Sequence, residues 1–189
     1  MTPKETAESW YAVRVKSRHE KVVDSSLRGK GYETFLPLYH DHRQWGHRKA
    51  EVELPLFPGY VFVQLEFQRR LPVLQTTGVV QFVCNGHQPA PVDREELAAI
   101  RAISLSGLPV APWPFLEAGQ RVRVVEGSLK DVEGLLTEVK NRDRIVVSLS
   151  LLQRSVSVEL DRAAIVPVNG ARMQPGAAPG AAAMQRKLA

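Results

Sequence analysis

Hydrophobic residues in the first hundred positions follow strand-like and helix-like periods in turn. Alternate positions of 10–15 are apolar, which predicts a first strand. Ser17 and Glu20 have the spacing of a capping box, in which the two side chains satisfy exposed backbone amides at a helix start. A helix is therefore expected there, ended by Gly29 and Gly31. Later patterns predict strands over 32–36, 60–65 and 79–83, a short helix over 71–75 and a helix capped at Asp93.

This succession of elements predicts the fold class of the N-terminal half. Strand, helix, two strands, helix, strand and helix is the ferredoxin-like order with one extra helix, so the chain is assigned to the α+β class. The predicted domain spans residues 9–105. In the expected arrangement the helices cover one face of the sheet and leave the other face available.

The pattern changes beyond residue 105. Gly107, Pro109, Pro112 and Pro114 predict that residues 106–118 form a semi-stiff linker without a regular element. Strand-like segments then recur about every ten residues over 119–168 and predict a small five-stranded barrel, with centres near Val122, Leu136, Val146, Val156 and Ile165. The tail, 169–189, is rich in Ala, Gly and Pro and is expected to be disordered.

Basic residues are concentrated in one segment of the chain. Of 189 residues, 25 are Lys or Arg and 20 are Asp or Glu, which gives a net charge of +5. Residues 14–49 hold nine of the cations and four of the acids, whereas residues 107–168 hold eight of each. This placement favours a polyanion contact in the N-terminal half, with a solvated charged face as the alternative.

The cysteine count and the lack of long apolar runs favour a cytoplasmic protein. Cys84 is the single cysteine, so no intrachain disulfide can form. The first ten residues lack signal-peptide character, and the longest uncharged run, 71–92, is interrupted by Pro and Gly. We therefore expect no membrane contact.

No constellation of residues indicates catalysis, a metal or a cofactor. The candidate groups are two carboxylates in a helix first turn, a Cys–His pair beside an Asn-Gly turn, and three histidines at poor tetrahedral spacing: Glu95 and Glu96; Cys84 and His87; His40, His42 and His47. Each group has a simpler structural interpretation. We therefore expect neither enzyme activity nor a cofactor.

Residues 39–49 are chemically suited to nucleic acid. This segment, YHDHRQWGHRK, contains Arg43, Trp45, Arg48 and Lys49 on the predicted loop between the second and third strands. Cations pair with phosphates, and a flat indole can stack on a base. A mobile solvated loop is the alternative.

Residues 56–63, LFPGYVFV, hold a second candidate contact. Tyr60 and Phe62 fall on one strand face, opposite Val61 and Val63. If the valines face the helices, the aromatic pair lies on the open face of the sheet, where apolar clusters mark protein contacts. Membership of the core is the alternative.

With these segments in view, the chain resembles the NusG family of transcription elongation factors over residues 9–168. The resemblance rests on WY at 10–11, LFPGYVFV at 56–63 and GVVQFV at 78–83 in the first half. In the second half it rests on GQRVRVV at 119–125, glycines at 127 and 134, SLLQR at 150–154 and VEL at 158–160. It implies an NGN domain bound to the clamp helices of RNA polymerase beside DNA, and an SH3-like KOW barrel that recruits partners.

The resemblance also implies roles for particular residues. Polymerase binding is expected at Tyr11, Phe57, Pro58, Tyr60, Phe62 and Phe82. Contact with non-template or upstream DNA is expected at Arg18, Arg43, Trp45, His47, Arg48 and Lys49. Leu151, Leu152 and Arg154 are expected to bind a partner, such as Rho or a small-subunit ribosomal protein, and Gly127 and Gly134 to form structural turns.

Two departures from the family pattern leave the partners open. Gly127 is followed by Ser-Leu where general factors often have Pro-Phe, and Gln153 replaces the glycine usual before Arg154. The insert at 43–49 resembles specialised antiterminator paralogues encoded with polysaccharide gene clusters, the role we favour over a housekeeping NusG. A ribosome-associated, RNA-binding KOW protein is a further alternative.

The resting state of the second domain can also be predicted. Some specialised relatives fold this segment as a helical hairpin, but its many β-branched residues favour strands. We expect a monomer with a free barrel, in which Leu151 and Leu152 are exposed.

Overall fold

A four-stranded antiparallel sheet forms the centre of the N-terminal half. The computed structural model describes residues 8–45, 48–113, 119–139 and 142–168. The helices are α1 (Glu20–Gly29), α2 (Leu71–Leu74) and α3 (Arg94–Leu105). The strands up to α3 are β1 (Ser9–Val15), β2 (Glu33–Phe35), β3 (Leu38–Trp45), β4 (Arg48–Pro55), β5 (Tyr60–Leu65), β6 (Val79–Phe82), β7 (Cys84–Asn85) and β8 (Gln88–Pro89).

The strand order of this sheet confirms the ferredoxin-like prediction. The order is β2-β5-β1-β6, and each neighbouring pair is antiparallel. Apart from the β3–β4 hairpin, which is inserted between β2 and β5, and the short β7–β8 hairpin, the elements follow the predicted succession. The predicted centres and bounds of these elements agree with the structure to within a few residues.

Both faces of the sheet are buried. On one face, Val13 of β1 and Val61 of β5 share a cluster with Val23 of α1. On the other face, Ala12 and Phe62 share a cluster with the buried side of α3, which consists of Leu97, Ile100 and Ile103. The prediction of an available second face is therefore wrong over most of its area, because α3 packs against it rather than beside α1.

The starts of α1 and α3 differ in how they are capped. Asp93 caps α3 as predicted, because its carboxylate accepts bonds from the backbone amides of Glu95 and Glu96 at 2.8 and 3.0 Å. The capping box predicted for α1 is wrong. Helix α1 begins only at Glu20, after Arg18 has taken a positive φ of 63°, so Ser17 lies outside the first turn.

The segment between β2 and β5 is a hairpin rather than the predicted loop. Strands β3 and β4 pair in antiparallel register along their whole length, from Leu38 opposite Pro55 to Trp45 opposite Arg48. Apart from Trp45 and Ala50, its outer half is polar on both strands, because a two-stranded ribbon that projects from a domain has little core to cover. The hydrophobic alternation that reveals other strands is therefore missing.

The C-terminal half is built mainly of strands, with short 3₁₀ helices at Ser150–Leu152 and Arg162–Ala164. Its strands are β9 (Val110–Trp113), β10 (Gln120–Val124), β11 (Glu133–Val139), β12 (Arg142–Leu149), β13 (Arg154–Glu159) and β14 (Ile165–Pro167). All five predicted centres lie in strands, which confirms strands rather than a helical hairpin. The sheet order is β14-β10-β11-β12-β13-β9.

Part of the predicted linker is the sixth strand of this sheet. Strand β9 pairs with β13, with Pro112 opposite Val156, so the prediction that prolines exclude a regular element is wrong for 110–113. The sheet order ends at β9, and an edge strand tolerates proline because its outer N–H needs no partner. The exact boundaries of the predicted domains stay a prediction.

Gly127 and Gly134 serve different purposes. Gly127 has a φ of 86° at a turn, as predicted. Gly134 does not form a turn: it lies within β11, opposite Val122. A Cβ at this position would overlap Ile145 and come within 2.7 Å of the carbonyl oxygen of Val146, so only glycine fits between the strands.

We expect Gly134→Ala to lower the free energy of unfolding by about 1–3 kcal/mol, the usual cost of overpacking. Gly119→Ala is the matched control, because its Cβ would come no closer than 3.4 Å to the nearest atom, in Leu135. Urea denaturation followed by circular dichroism measures both. Equal midpoints for the two variants would show that the barrel has room at residue 134.

Candidate functional site

The aromatic residues of 56–63 lie mostly inside the protein. Phe57 and Phe62 are 1% and 0% exposed, and their rings meet edge to face with centroids 5.8 Å apart. Tyr60 is half-buried and Pro58 is exposed. Phe62 is thus a core residue, the alternative considered for this segment, while Tyr60 and Pro58 remain accessible.

The other two residues expected to bind polymerase lie on the opposite face of the sheet. Tyr11 packs against Phe82 and Phe67, with ring centroids 5.9 and 5.3 Å away, in the cluster under α1. The structure therefore does not bring the six residues onto one surface. Their polymerase-binding role stays a prediction.

A buried carboxylate fixes the turn that precedes Tyr60. Glu20 is 7% exposed, and its Oε1 accepts a hydrogen bond of 2.8 Å from the backbone amide of Gly59. The carbonyl of Gly59 accepts from the amide of Val15 at 2.8 Å, and Gly59 itself has a φ of 85°. The start of α1 and the end of β1 together hold the turn, so Tyr60 has a defined position.

Tyr60 has polar neighbours that the sequence reasoning missed. In the sheet register Arg14 of β1 lies between Tyr60 of β5 and Gln81 of β6. Arg14 and Gln81 are both exposed. Strand alternation could have revealed Arg14, because it falls on the same face as Ala12. Tyr60, Arg14 and Gln81 form the accessible end of the second face.

Arg101 holds α3 on the remainder of this face. Its guanidinium lies 5.0 Å from the ring of Trp10 and 5.1 Å from that of Phe35, and it forms a 3.5 Å ion pair with Glu33. Cation–π contacts of this kind add to apolar packing. The helix is therefore attached both to the centre and to the β2 edge of the sheet.

The residues expected to contact nucleic acid are grouped at the hairpin tip. The β3–β4 register puts Trp45 opposite Arg48, and Arg43 lies two positions from Trp45 on the same strand. Lys49 pairs with Gln44, while His47 lies outside the described residues. Arg18 is apart from this group, exposed in the turn between β1 and α1.

Close contacts between ionisable side chains are found along the hairpin stem. Nζ of Lys21, in α1, lies 3.0 Å from Oε2 of Glu53 in β4, and Nδ1 of His40 lies 3.2 Å from Oε1 of Glu51. The hydrogen bond and charge of Lys21 lower the pKa of Glu53 below its usual value. The Glu53 carboxylate therefore stays ionised to lower pH than an isolated glutamate.

The predicted partner-binding tip of the barrel lies against α3. Leu152 is 8% exposed and Leu151 is half-buried, while Arg154 is exposed. The backbone amide and hydroxyl of Ser150 donate to the carboxylate of Glu96 at 3.0 and 2.6 Å. The prediction of a free, exposed tip is therefore wrong, because Leu152 is buried in the cluster that also contains the apolar side of α3, and Ser150 is bonded to Glu96.

The backbone conformation of Gln153 accounts for the glycine that is usual at this position. Its φ and ψ of 50° and 46° are left-handed, a conformation that costs most residues energy and that glycine adopts freely. The Gln153 side chain donates to the carbonyl of Ser150 at 2.9 Å. This local bond offsets part of the conformational cost.

Within 8–45, 48–113, 119–139 and 142–168, no three His, Cys, Asp or Glu side chains come together as a metal site would require. None of the helices formed by these residues has the length and hydrophobicity needed to cross a bilayer.

Known proteins match both halves of the chain. The NusG family model, described as a transcription termination factor, matches residues 8–101. The transcription termination/antitermination protein NusG of Pseudomonas aeruginosa is 32% identical over 169 residues, which cover 82% of this chain and 96% of that protein. The protein of the same name from Thermus thermophilus is 31% identical over 182 residues, covering 83% and 97%.

A solved structure agrees with the fold. The structure "Domain interaction in Thermotoga maritima NusG" aligns with a TM-score of 0.51 at 24% identity, covering 85% of this chain and 97% of that one. Fold and sequence together define the class as transcription termination and antitermination factors. The chain belongs to the NusG family. Members of this family are transcription factors, not enzymes, as the sequence predicted.

We expect Glu96→Ala to release the barrel tip, because it removes the acceptor of both Ser150 bonds. Backbone amides of 149–153 should then exchange with deuterium faster than in the unmodified protein, as measured by mass spectrometry. Glu95→Ala is the matched control, since the Glu95 side chain is exposed on the same turn. Identical exchange in Glu96→Ala and Glu95→Ala would contradict the importance of this contact.

Proposed function

We propose that the chain is a cytoplasmic transcription elongation and antitermination factor. Residues 9–105 bind RNA polymerase at its clamp helices, the β3–β4 hairpin contacts DNA at the transcription bubble, and the barrel of 119–168 recruits a partner. Family membership supports the class of function. The geometry of this chain supports the assignment of the separate tasks.

The β3–β4 hairpin is the observation that carries the proposal. Each strand has eight residues, so the ribbon can reach about 26 Å from the body of the domain. Two-stranded ribbons of this width fit the major groove of DNA, and cations beside an aromatic residue also suit a single strand. The register brings the backbones of Trp45 and Arg48 opposite each other at the far end. A base-stacking residue and a phosphate-binding residue thus lie at the point of greatest reach.

The accessible end of the second sheet face supports a protein contact. Tyr60 is held by the Glu20–Gly59 turn and has exposed Arg14 beside it. An aromatic anchor flanked by a cation is typical of binding hot spots, which are rich in Tyr, Trp and Arg. We assign polymerase binding to this surface rather than to the buried Phe57 and Phe62.

The barrel tip is the proposed partner site. In the structure Ser150 is bonded to Glu96 of α3, so a partner that uses this tip competes with Glu96. The competition is modest in energy, because hydrogen bonds to charged groups contribute about 1.5–3 kcal/mol. A partner in a transcription complex can therefore replace the contact.

A housekeeping role is the second candidate. The matched relatives are named for both termination and antitermination and are covered over nearly their whole length, which favours a general factor that acts with Rho and the ribosome. The specialised role is favoured by Gln153, which takes the left-handed position usual for glycine at the partner tip. Binding of the full chain to purified Rho and to the small ribosomal subunit separates the two roles, since a specialised factor need not bind Rho.

We expect Tyr60→Ala to weaken polymerase binding about thirtyfold, because truncation of an interface anchor costs about 2 kcal/mol. Titration of labelled protein with core polymerase measures the affinity. Phe62→Ala is unsuitable, because this residue is fully buried and its loss would disturb folding. Tyr32→Ala is the matched control, since Tyr32 is also half-buried but packs in the cluster under α1. A folded Tyr60→Ala protein with unchanged affinity would overturn the polymerase assignment.

We expect Arg48→Ala and Lys49→Ala each to reduce the slope of log affinity for DNA against log salt concentration by about 0.7–0.9, because each removes a phosphate contact. Fluorescence anisotropy with a bubble-shaped DNA measures the slope between low and physiological salt. Lys130→Ala removes the same charge from an exposed site on the barrel and should leave the slope unchanged. Equal slopes for the two hairpin variants and Lys130→Ala would contradict the DNA contact and indicate that the hairpin is a solvated ribbon.

A further inference from the structure

Contacts at different levels attach the hairpin to the rest of the chain, and Tyr39 of β3 also packs against the apolar cluster that contains α3 residues. At its root, the amide of Leu56 donates to the carbonyl of Pro37 at 2.9 Å, and both residues are buried. Further out, Lys21 of α1 reaches Glu53 of β4 at 3.0 Å. The root contact fixes where the ribbon leaves the domain, while the Lys21 contact lies on one side of the ribbon and can fix its angle.

The position of Lys21 is not explained by the stability of α1. Lys21 is the second residue of the helix, where the macrodipole disfavours a cation. Glu20, immediately before it, is directed to Gly59. The described partner of Lys21 is instead the hairpin carboxylate, whose pKa it lowers.

The cross-strand neighbour of Glu53 is a histidine. Glu53 lies opposite His40 in the ribbon register, and His40 is 3.2 Å from Glu51. The stem therefore presents two carboxylates and a histidine near the start of α1. Lys21 is the cation that α1 contributes to this group.

Small changes of angle at this level are magnified at the tip. Arg48 lies five positions before Glu53 in β4, a distance of about 17 Å along the strand. A tilt of about 10° at Glu53 therefore moves the tip by about 3 Å, nearly the spacing of successive nucleotides along one strand of duplex DNA.

We propose that Lys21 and Glu53 are positioning residues, whose ion pair sets the angle of the β3–β4 hairpin and thereby selects which nucleotides its tip reaches. This inference rests on the proposed function of the hairpin as a nucleic-acid contact. Lys21 and Glu53 act through the hairpin and do not touch nucleic acid themselves. Exposed pairs of this kind contribute modestly, so the effect is a shift in the populations of hairpin angles.

The first experiment measures the angle without any partner. Spin labels are placed at Gln44→Cys on β3 and Ser25→Cys on α1, in a Cys84→Ser background. Lys21→Glu and Glu53→Lys should each shift or broaden the distance distribution by about 3 Å, and the double reversal should restore it. An unchanged distribution in both single variants overturns the inference, as does a shift that the double reversal leaves in place.

The second experiment asks whether the angle selects nucleotides. A photo-crosslinking amino acid replaces Trp45 in every protein, and crosslinks to DNA are mapped in a stalled elongation complex. Glu53→Lys should move the crosslink or lower its yield about two- to fivefold, the range that an exposed ion pair supports. This is opposite to the effect of the added positive charge, which by itself strengthens DNA binding.

Glu51→Lys is the matched control for the second experiment. It makes the same charge change on the same strand, where the described contact of Glu51 is with His40 rather than α1. Equal crosslink patterns for Glu53→Lys and Glu51→Lys overturn the positioning role. If the unmodified hairpin gives no crosslink, the proposed DNA contact fails, and the label distances still decide whether the ion pair sets the angle.

Discussion

Strands β1 and β5 lie side by side at the centre of the N-terminal sheet, and their alternating side chains supply both of the cores that stabilise it. Val13 and Val61 face α1, whereas Ala12 and Phe62 face α3. A slip of one residue in this register would exchange every buried side chain for its neighbour on the opposite face. The position of Tyr60 follows from this constraint, because the register puts it on the second face beside Arg14, at the end that stays accessible.

Helix α3 connects the two halves of the protein. Its apolar side covers the sheet, Arg101 attaches it to the aromatic rings of β1 and β2, and Glu96 accepts from the barrel tip. The same helix therefore determines how much of the second sheet face is accessible and whether the barrel tip is accessible. Surfaces assigned to two different partners are therefore linked through α3. The link at the barrel tip consists of the two Ser150 bonds to Glu96, which is modest enough in energy to be replaced.

The hairpin follows a different physical rule from the rest of the domain. An isolated two-stranded ribbon is only marginally stable in water, because it buries little apolar surface. Its root is fixed by buried Pro37 and Leu56, and its stem by charged contacts such as Lys21 with Glu53. A polar ribbon of this kind contributes little to folding, so its sequence is free to serve recognition.

The sequence alone determined the ferredoxin-like order, the strands of the barrel and the cap at Asp93, because each depends on periodicity or on groups a few residues apart. It also identified the cationic and aromatic composition of 43–49. Only the tertiary structure decided that this segment is a hairpin, that β9 joins the barrel and that Phe62 and Leu152 are buried. These outcomes depend on which surfaces meet across long separations in the chain, as Glu96 and Ser150 do. Local patterns show that a side chain is apolar or charged, but the packing of distant elements decides whether it faces a core, a neighbouring domain or solvent.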